Sequence, residues 1–495
     1  MKLLKNQFFF SIFITSFIYL LFEIKNLENI LEFTTAHVFL TANSIIDSNF
    51  TKFVFPMPAG ELWIENGRPY VSYPIFSFLL GVIFSPLQTI TNIFSIAKLA
   101  GFLQITLFVF IIQGYLKNKE IVSTARIFWT FLFASILVSP GLYYHFNHIF
   151  YGDIFTLTFA ILFFLVTKNL KSVSTSNFCL IFLCVFFGTL TEYYFWLVLF
   201  FYFLFEFFRC PFLFLKNKKI IFIPNTLFKV FFISLFASLL AIFINIYIYT
   251  DGVGGFDKLL SILYERAGAR GSSVQMSYLI HELFSFYHWQ QNRLVLYLYL
   301  ITLFSAVYVF IFHRKLFIQI YDQLKSDEFF RFGLILLLAS MIHTILFQNL
   351  FINHFFQIQK FHISLSILFF IIGLHTFKFF YNNLNIKPLF GFLFITPLCL
   401  ILIFQSANQY ETHFNFANDP YNNFSKKFGT HVSTYQENTI CLNRNSFEQT
   451  LPENILGPLL FPQFHFYTSG KQFIWSEDQS CLILNLSDFD NNFVQ

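Results

Sequence analysis

Residues 230–249 read VFFISLFASLLAIFINIYIY, a run of 20 positions without a charge. At about 1.5 Å per residue, a helix of that length spans the roughly 30 Å hydrocarbon core of a bilayer. This feature constrains the fold more than any other because it recurs. Comparable apolar runs centre on 7–22, 96–115, 125–142, 154–167, 178–191, 194–208, 294–312, 332–352, 362–379 and 389–405. The chain of 495 residues is 56% hydrophobic and 12% charged, with 81 Phe. A soluble fold cannot bury that much apolar surface. The pattern predicts an all-α polytopic membrane protein with about 11 transmembrane helices, two of them short at 154–167 and 178–191. The net charge of +5 is small, so nucleic-acid binding is not implied. What matters is where the charges fall.

Lys2 and Lys5 precede the first apolar run. A signal peptide would begin this way, but no small-residue cleavage site follows. The expectation is a retained first helix with the N-terminus in the cytoplasm. The difficult segment is GRPYVSYPIFSFLLGVIFSPL, residues 67–87, which holds Pro69, Pro74 and Pro86. If it does not cross, the inside segments hold 18 Lys and Arg residues, from Lys2 to Lys387, against one, Lys360, in the three short outside loops near 143–152, 191–194 and 353–361. If it crosses, 16 of the 18 move outside, against the positive-inside rule. The segment is therefore expected to be a Pro-broken helix lying on, or dipping into, the outer face.

That arrangement puts three large pieces outside: a first loop at 24–94, a second at 251–293 and a polar tail at 406–495. Residues 1–405 then form the membrane domain. The alternation in SCLILNLSDF suggests short strands, so the tail reads as a small α/β or β-containing region. It carries Cys441 and Cys481, which an oxidising exterior would allow to pair, or which stand as two lone thiols. Cys179, Cys184 and Cys399 lie in apolar runs and read as packing residues.

Carboxylates are expensive near lipid. On this topology Glu28, Glu32 and Asp47 lie in the first outer loop. Asp153 follows the third crossing, and Glu192 sits at the tight outer turn in GTLTEYYFW. Singly, each could be a solvated helix end or a partner for a nearby His or Lys. Their convergence on one face points to a site. In the first loop, His37, Thr41, Ser44 and Ser48 share one side of a helix, with Val38, Ala42 and Ile45 opposite. The pattern predicts an amphipathic helix at the outer interface.

LEFTTAHVFLTANSIIDSNF followed by NGRPYVSYPIFSFLLGVIF resembles the first outer loop of the GT-C superfamily of polytopic membrane glycosyltransferases, in the branch of bacterial protein-mannosyltransferase-like and aminoarabinose-transferase-like enzymes. SPGLYYHFNHIFYGDIF and FGTLTEYYFWLVL resemble that branch's next motifs. The resemblance spans residues 1 to about 210 and continues only as architecture. In this chain Glu32 is displaced from the usual acidic position, which falls nearer Thr34 and Thr35. Ile75 replaces the second Pro of a pair, and Asn49 stands where the pattern closes its helix with Gly.

The resemblance implies transfer of a sugar from a polyprenyl-phosphate donor to a lipid, glycan or protein acceptor, at the outer face of a bacterial cytoplasmic membrane. A carboxylate would deprotonate the acceptor hydroxyl or hold a metal, and cations would help the lipid phosphate leave. The candidate catalytic residues are Glu32, preferred as base, with His37, Asp153 and Glu192. The candidate donor-phosphate residues are Arg68, Tyr73, Arg266, Arg270, His354 and Lys360. His145, His148 and Asp153 form a candidate divalent-metal set, since i, i+3 histidines share a helix face. P-loop and Rossmann glycine fingerprints are absent from the sequence. Two alternatives stand beside the transferase: a flippase or transporter for lipid-linked glycans, and an O-antigen polymerase or ligase-like enzyme.

Overall fold

A computed structural model describes residues 2–23, 33–49, 56–57, 68–69, 75–89, 93–121, 123–148, 152–168, 174–209, 225–261, 264, 293–347, 358–384, 400–409, 420–437, 439–443, 472–475 and 482–484. Helices occupy the apolar runs: α1 (Lys2–Glu23), α4 (Ile93–Asn118), α5 (Ser123–Leu137), α7 (Gly152–Thr167), α8 (Thr175–Thr191), α9 (Tyr194–Arg209), α10 (Asn225–Val253), α11 (Arg293–Phe312), α13 (Glu328–Leu346) and α14 (Ile358–Leu384). Between them lie α2 (Phe33–Asp47), α3 (Phe76–Phe84), α6 (Pro140–His148) and the amphipathic α12 (Arg314–Ser326). A further helix covers 400–409.

Among the described residues, four helices are long and apolar enough to cross a membrane: those at Ser95–Asn118, Thr226–Val253, Glu328–Leu346 and Gln359–Phe377. A bent pair, Ala125–Leu137 with Pro140–Asn147, makes a fifth candidate, and six shorter apolar helices accompany them. These helices fit an integral membrane protein. The run at 125–142 was expected to be one helix, but it bends by 74° between α5 and α6. Pro140 is the cause, because it lacks an N–H and disfavours helical geometry at Ser139.

Pairs of contacts orient the helices. Phe8 meets Phe110 at 6.1 Å and Tyr19 meets Phe102 at 5.3 Å, so α1 and α4 run antiparallel. The chain between them, 24–92, therefore leaves and returns at one end of the pair, called here the upper end. Within it, α3 stops after 9 residues and continues only as the 3-10 turn Ser85–Thr89. It packs high on the bundle: Phe76 touches Phe155, Phe159 and Phe187, and Ile75 N donates to Asn245 Oδ1 at 3.0 Å. Thr156–Thr191 hydroxyls (2.8 Å) pair α7 with α8 at the upper end. Glu206–Arg331 (3.0 Å) and Lys168–Glu328 (3.7 Å) bind α9 and α7 to α13 at the lower end.

The helix α2 was expected at an interface, polar side outward. Instead both sides are buried: His37 and Thr41 on one, Val38 and Ala42 on the other. The reason is α3. Gly81 comes so close that an added Cβ would lie 2.9 Å from Val38 and Ala42, and Phe78 packs edge-on against His37. Asn43 Oδ1 accepts from Ser85 Oγ and Gln88 Nε2, tying the 3-10 turn down as well. α2 ends at Asn49, whose φ of 52° is left-handed. Asn is the non-glycine residue best suited to that geometry.

In the tail, α15 (Pro420–Ser433) precedes three parallel strands, β3 (Thr439–Leu442), β4 (Gln472–Trp475) and β5 (Leu482–Leu484), in the order β4-β3-β5. (β1, Pro56–Met57, and β2, Arg68–Pro69, form a separate short antiparallel pair.) Cys441 is disulfide-bonded, and Cys481 lies outside the described residues.

Candidate active site

The site is built on the turn between α8 and α9. Glu192 leaves the helix in extended geometry, φ −165° and ψ 153°, and Phe195 N donates to its carbonyl at 3.1 Å. The turn can be this tight because Gly188 admits the Phe195 ring, which would lie 2.5 Å from an added Cβ.

The Glu192 side chain turns into the bundle and is 2% exposed. Lys360, in the first turn of α14 and 0% exposed, donates to its Oε1. His343 of α13 brings Nε2 within 3.7 Å of the same oxygen. The Lys360 ammonium also sits 5.3 Å from the centre of the Tyr194 ring, a cation–π contact. Tyr194 donates its hydroxyl to Leu336 O at 3.0 Å and lies 3.0 Å from Ser340 Oγ, which lies 3.3 Å from Ser364 Oγ. One carboxylate thus ties α8, α13 and α14 together inside an apolar bundle. Breaking a buried pair of this kind by removing one partner leaves an uncompensated charge, worth about 3–5 kcal/mol.

Two other segments reach the same place. Gly152, the first residue of α7, packs so tightly that an added Cβ would lie 2.2 Å from Thr191 O and 3.0 Å from Ser77 Oγ of α3. The backbone that bears Asp153 is therefore seated against the residue preceding Glu192. α3 in turn carries Phe78, which holds His37. Nearby α6 is anchored by Asn147: Tyr19 donates to its Oδ1, and its Nδ2 donates to Tyr143 O. A cavity of about 210 Å³ opens beside the turn, lined by Thr189, Tyr193, Trp196, Asn245 and Tyr249 among others.

Of the residues expected from sequence, the structure brings Glu192 and Lys360 into contact and places His37 on α2 within the same upper assembly. His145 is fully buried on α6. His148 ends α6 and Asp153 is the second residue of α7, but their side chains lie outside the description. So does that of Arg68, whose backbone is in β2. Glu32, Tyr73, Arg266, Arg270 and His354 lie outside the described residues altogether, and with them the proposed separation of Glu32 and Asp153. Among the described residues no group of three or more His, Cys, Asp or Glu could hold a metal ion.

Sequence reasoning missed His343. The available signal was Ser340, His343 and Thr344, polar at helical spacing inside an apolar run. It also missed a second buried cluster at the lower end. Asp327 Oδ2 accepts from Tyr115 OH at 2.7 Å and Lys119 Nζ at 2.6 Å, and faces His375 Nε2 at 3.0 Å. Its Oδ1 caps α13 through Phe329 N and Phe330 N at 2.9 and 3.1 Å. Burial pushes this carboxyl up, but the hydrogen bonds from His375, Lys119 and Tyr115 outweigh it and hold the group below the usual carboxylate range.

No known protein-family model matches the chain, and no curated protein matches it.

Proposed function

We propose that this protein is a GT-C-like integral membrane glycosyltransferase that acts at the upper end of the bundle. The observation that carries the reading is convergence. The GT-C resemblance lies in α2–α3, in α6 with the start of α7, and in the α8–α9 turn, and of these α2–α3, the start of α7 and the turn pack on one another there. Asn49 adds to it, since it takes the left-handed conformation at the position where the family pattern has Gly.

In this reading the acceptor hydroxyl attacks the anomeric carbon of a polyprenyl-phosphate sugar. The new C–O bond forms as the bond to phosphate breaks, the phosphate leaves with the electron pair, and the hydroxyl proton passes to a carboxylate. Glu32 is that base, and Asp153 orients it or a divalent metal. Glu192, buried and paired, is a positioning residue: with Lys360 and His343 it holds the turn against which the start of α7 is seated. The outer residues Arg266, Arg270 and His354 are assigned to the donor phosphate.

The upper end is assigned to the outside of a bacterial cytoplasmic membrane, with 11 crossings, the N-terminus inside and the tail outside. Support comes from the basic residues of the lower end, Lys119, Lys168 and Arg331 among them, and from the disulfide at Cys441, which suits an oxidising compartment. The test is transfer of label from radiolabelled polyprenyl-phosphate sugars in membranes containing the protein. Activity that is lost in Glu32→Gln and Asp153→Asn, with donor binding kept, supports the assignment. Full activity in both variants overturns it.

A transporter for lipid-linked glycans is the second reading. The observation favouring it is that α13 and α14 carry buried ionic groups at both ends, Glu192–Lys360 and Asp327–His375. Movement of a fluorescent lipid-linked glycan between leaflets, without label transfer, would select it.

A further inference from the structure

A third polar feature lies away from both clusters, between α1, α4 and α5. A cavity of about 240 Å³ is lined by Asn6, Gln7, Phe10, Gln113, Arg126 and Thr130, together with Ile127. It belongs to the lower end: Gln113 lies two residues before Tyr115 on α4, and Arg126 is in the first turn of α5.

Two side chains give it a preference. No carboxylate pairs with Arg126 among the described residues. Gln113 is 4% exposed, lines the cavity, and its Nε2 has no hydrogen-bond acceptor among the described residues. A buried amide donor left unmatched is unfavourable, so the site is short of an acceptor. Guanidinium and carboxamide together offer several N–H donors to one anion, and the planar guanidinium suits the paired oxygens of a phosphate. The neighbouring surface of α1 is apolar, with Phe9 and Phe13 56% and 62% exposed. An anion reaching this cavity along that face would bring apolar chains with it. Basic pockets between membrane helices recognise lipid headgroups on this principle.

We propose that this cavity binds the phosphate of an anionic phospholipid, with Arg126 as the charge partner, Gln113 Nε2 as a second donor, and the acyl chains lying along Phe9 and Phe13.

The test uses the purified full-length protein in detergent micelles. Its thermal midpoint is read against added phosphatidylglycerol, phosphatidylcholine or inorganic phosphate. A ligand that binds only the folded state raises the midpoint with its concentration. Phosphatidylglycerol should raise it saturably and phosphatidylcholine much less. In Arg126→Gln the phosphatidylglycerol response should weaken about tenfold or more, the scale of a lost charge-assisted pair, and in Arg126→Lys it should survive in part. Each variant is compared with its own lipid-free midpoint, so an altered basal stability does not confuse the result. Should Arg126→Gln not fold, Gln113→Met should weaken the response in the same direction. An equal response in wild type and variants overturns the proposal. So does a response to inorganic phosphate that displaces the lipid, because the ligand would then be a soluble anion.

Discussion

Glu192 and Lys360 offer the sharpest test of the packing argument. Their side chains are 2% and 0% exposed, so neither charge can turn to water if the other is removed. At an effective dielectric constant of about 20, unit charges about 4 Å apart attract by about 4 kcal/mol, and His343 adds a third group at 3.7 Å. Glu192→Gln keeps the shape and removes the charge, leaving the ammonium buried against a neutral amide. Lys360→Met does the reverse. Each should destabilise by about 3–5 kcal/mol. The double variant has no unmatched charge and should lose much less than the sum. The expected coupling in a double-mutant cycle is therefore above about 2 kcal/mol. Reversible unfolding in mixed detergent micelles measures it. The protein contains its own control, because Glu206 and Arg331 form a pair at 3.0 Å whose side chains are 19% and 17% exposed. That cycle should give about 1 kcal/mol or less. A Glu192–Lys360 coupling no larger than the Glu206–Arg331 coupling would refute the idea that a buried charge pair holds the upper turn.

Gly152→Ala should destabilise by about 1–3 kcal/mol, because its new Cβ would meet Thr191 O, a backbone atom that cannot rotate away. Gly114→Ala on α4 has open space around its Cβ and should be neutral or stabilise by up to about 1 kcal/mol, with thermal midpoints of the two variants giving the comparison. Asp327 titrates below its ordinary value in the folded state. Its contribution is therefore present above about pH 4 and is lost as pH falls through the lower folded value. Asp327→Asn keeps a capping side chain but should flatten the fall in thermal midpoint below that pH. Reporter fusions at residue 320 and after residue 410 should be active on opposite sides of the membrane, with 320 in the cytoplasm; a cytoplasmic signal after 410 would invert the assignment of the upper end.

Helix positions were legible because membrane-spanning helices advertise themselves through length and apolarity, which need no partner to be recognised. The run at 230–249 became the core of α10, and 96–115 that of α4. For residues 67–87 the expectation came from the charges of other loops, and of that stretch the described residues show the short α3 ending in a 3-10 turn. What failed was any inference from a helix's own periodicity to its surroundings. The polar side of α2 signalled an interface, yet His37 and Thr41 are buried. In a bundle, a polar stripe marks whatever covers it, and α3 covers α2 only because Gly81 permits close approach. The bend at Pro140 had a local signal that the continuous apolarity of 125–142 obscured.

The two buried carboxylates explain why the candidate site was half visible. Glu192 could be singled out because it interrupts an aromatic run at a helix end, and Lys360 because it is the lone basic residue of a short loop. Nothing in the sequence joined them across 168 positions. Asp327 was hidden differently: it sits in a charged stretch, SDEFFR, where a solvated role is the ordinary reading. Its burial depends on Tyr115 and Lys119 arriving from α4 and His375 from α14. Both clusters use the same antiparallel pair, α13 and α14. Along α13, Asp327 and His343 are 16 residues apart, about 24 Å at the helical rise. An antiparallel pair pinned at both ends resists sliding and tilting, because either motion would separate one buried charge from its partner. A transferase needs that rigidity at its mouth, to keep the reacting groups within hydrogen-bond reach of the acceptor. A transporter must release at least one pin in each cycle. If Glu192–Lys360 and Asp327–His375 both stay paired through turnover, as distance measurements between labels at the two ends of α13 and α14 would report, the rigid-mouth reading stands over the transporter.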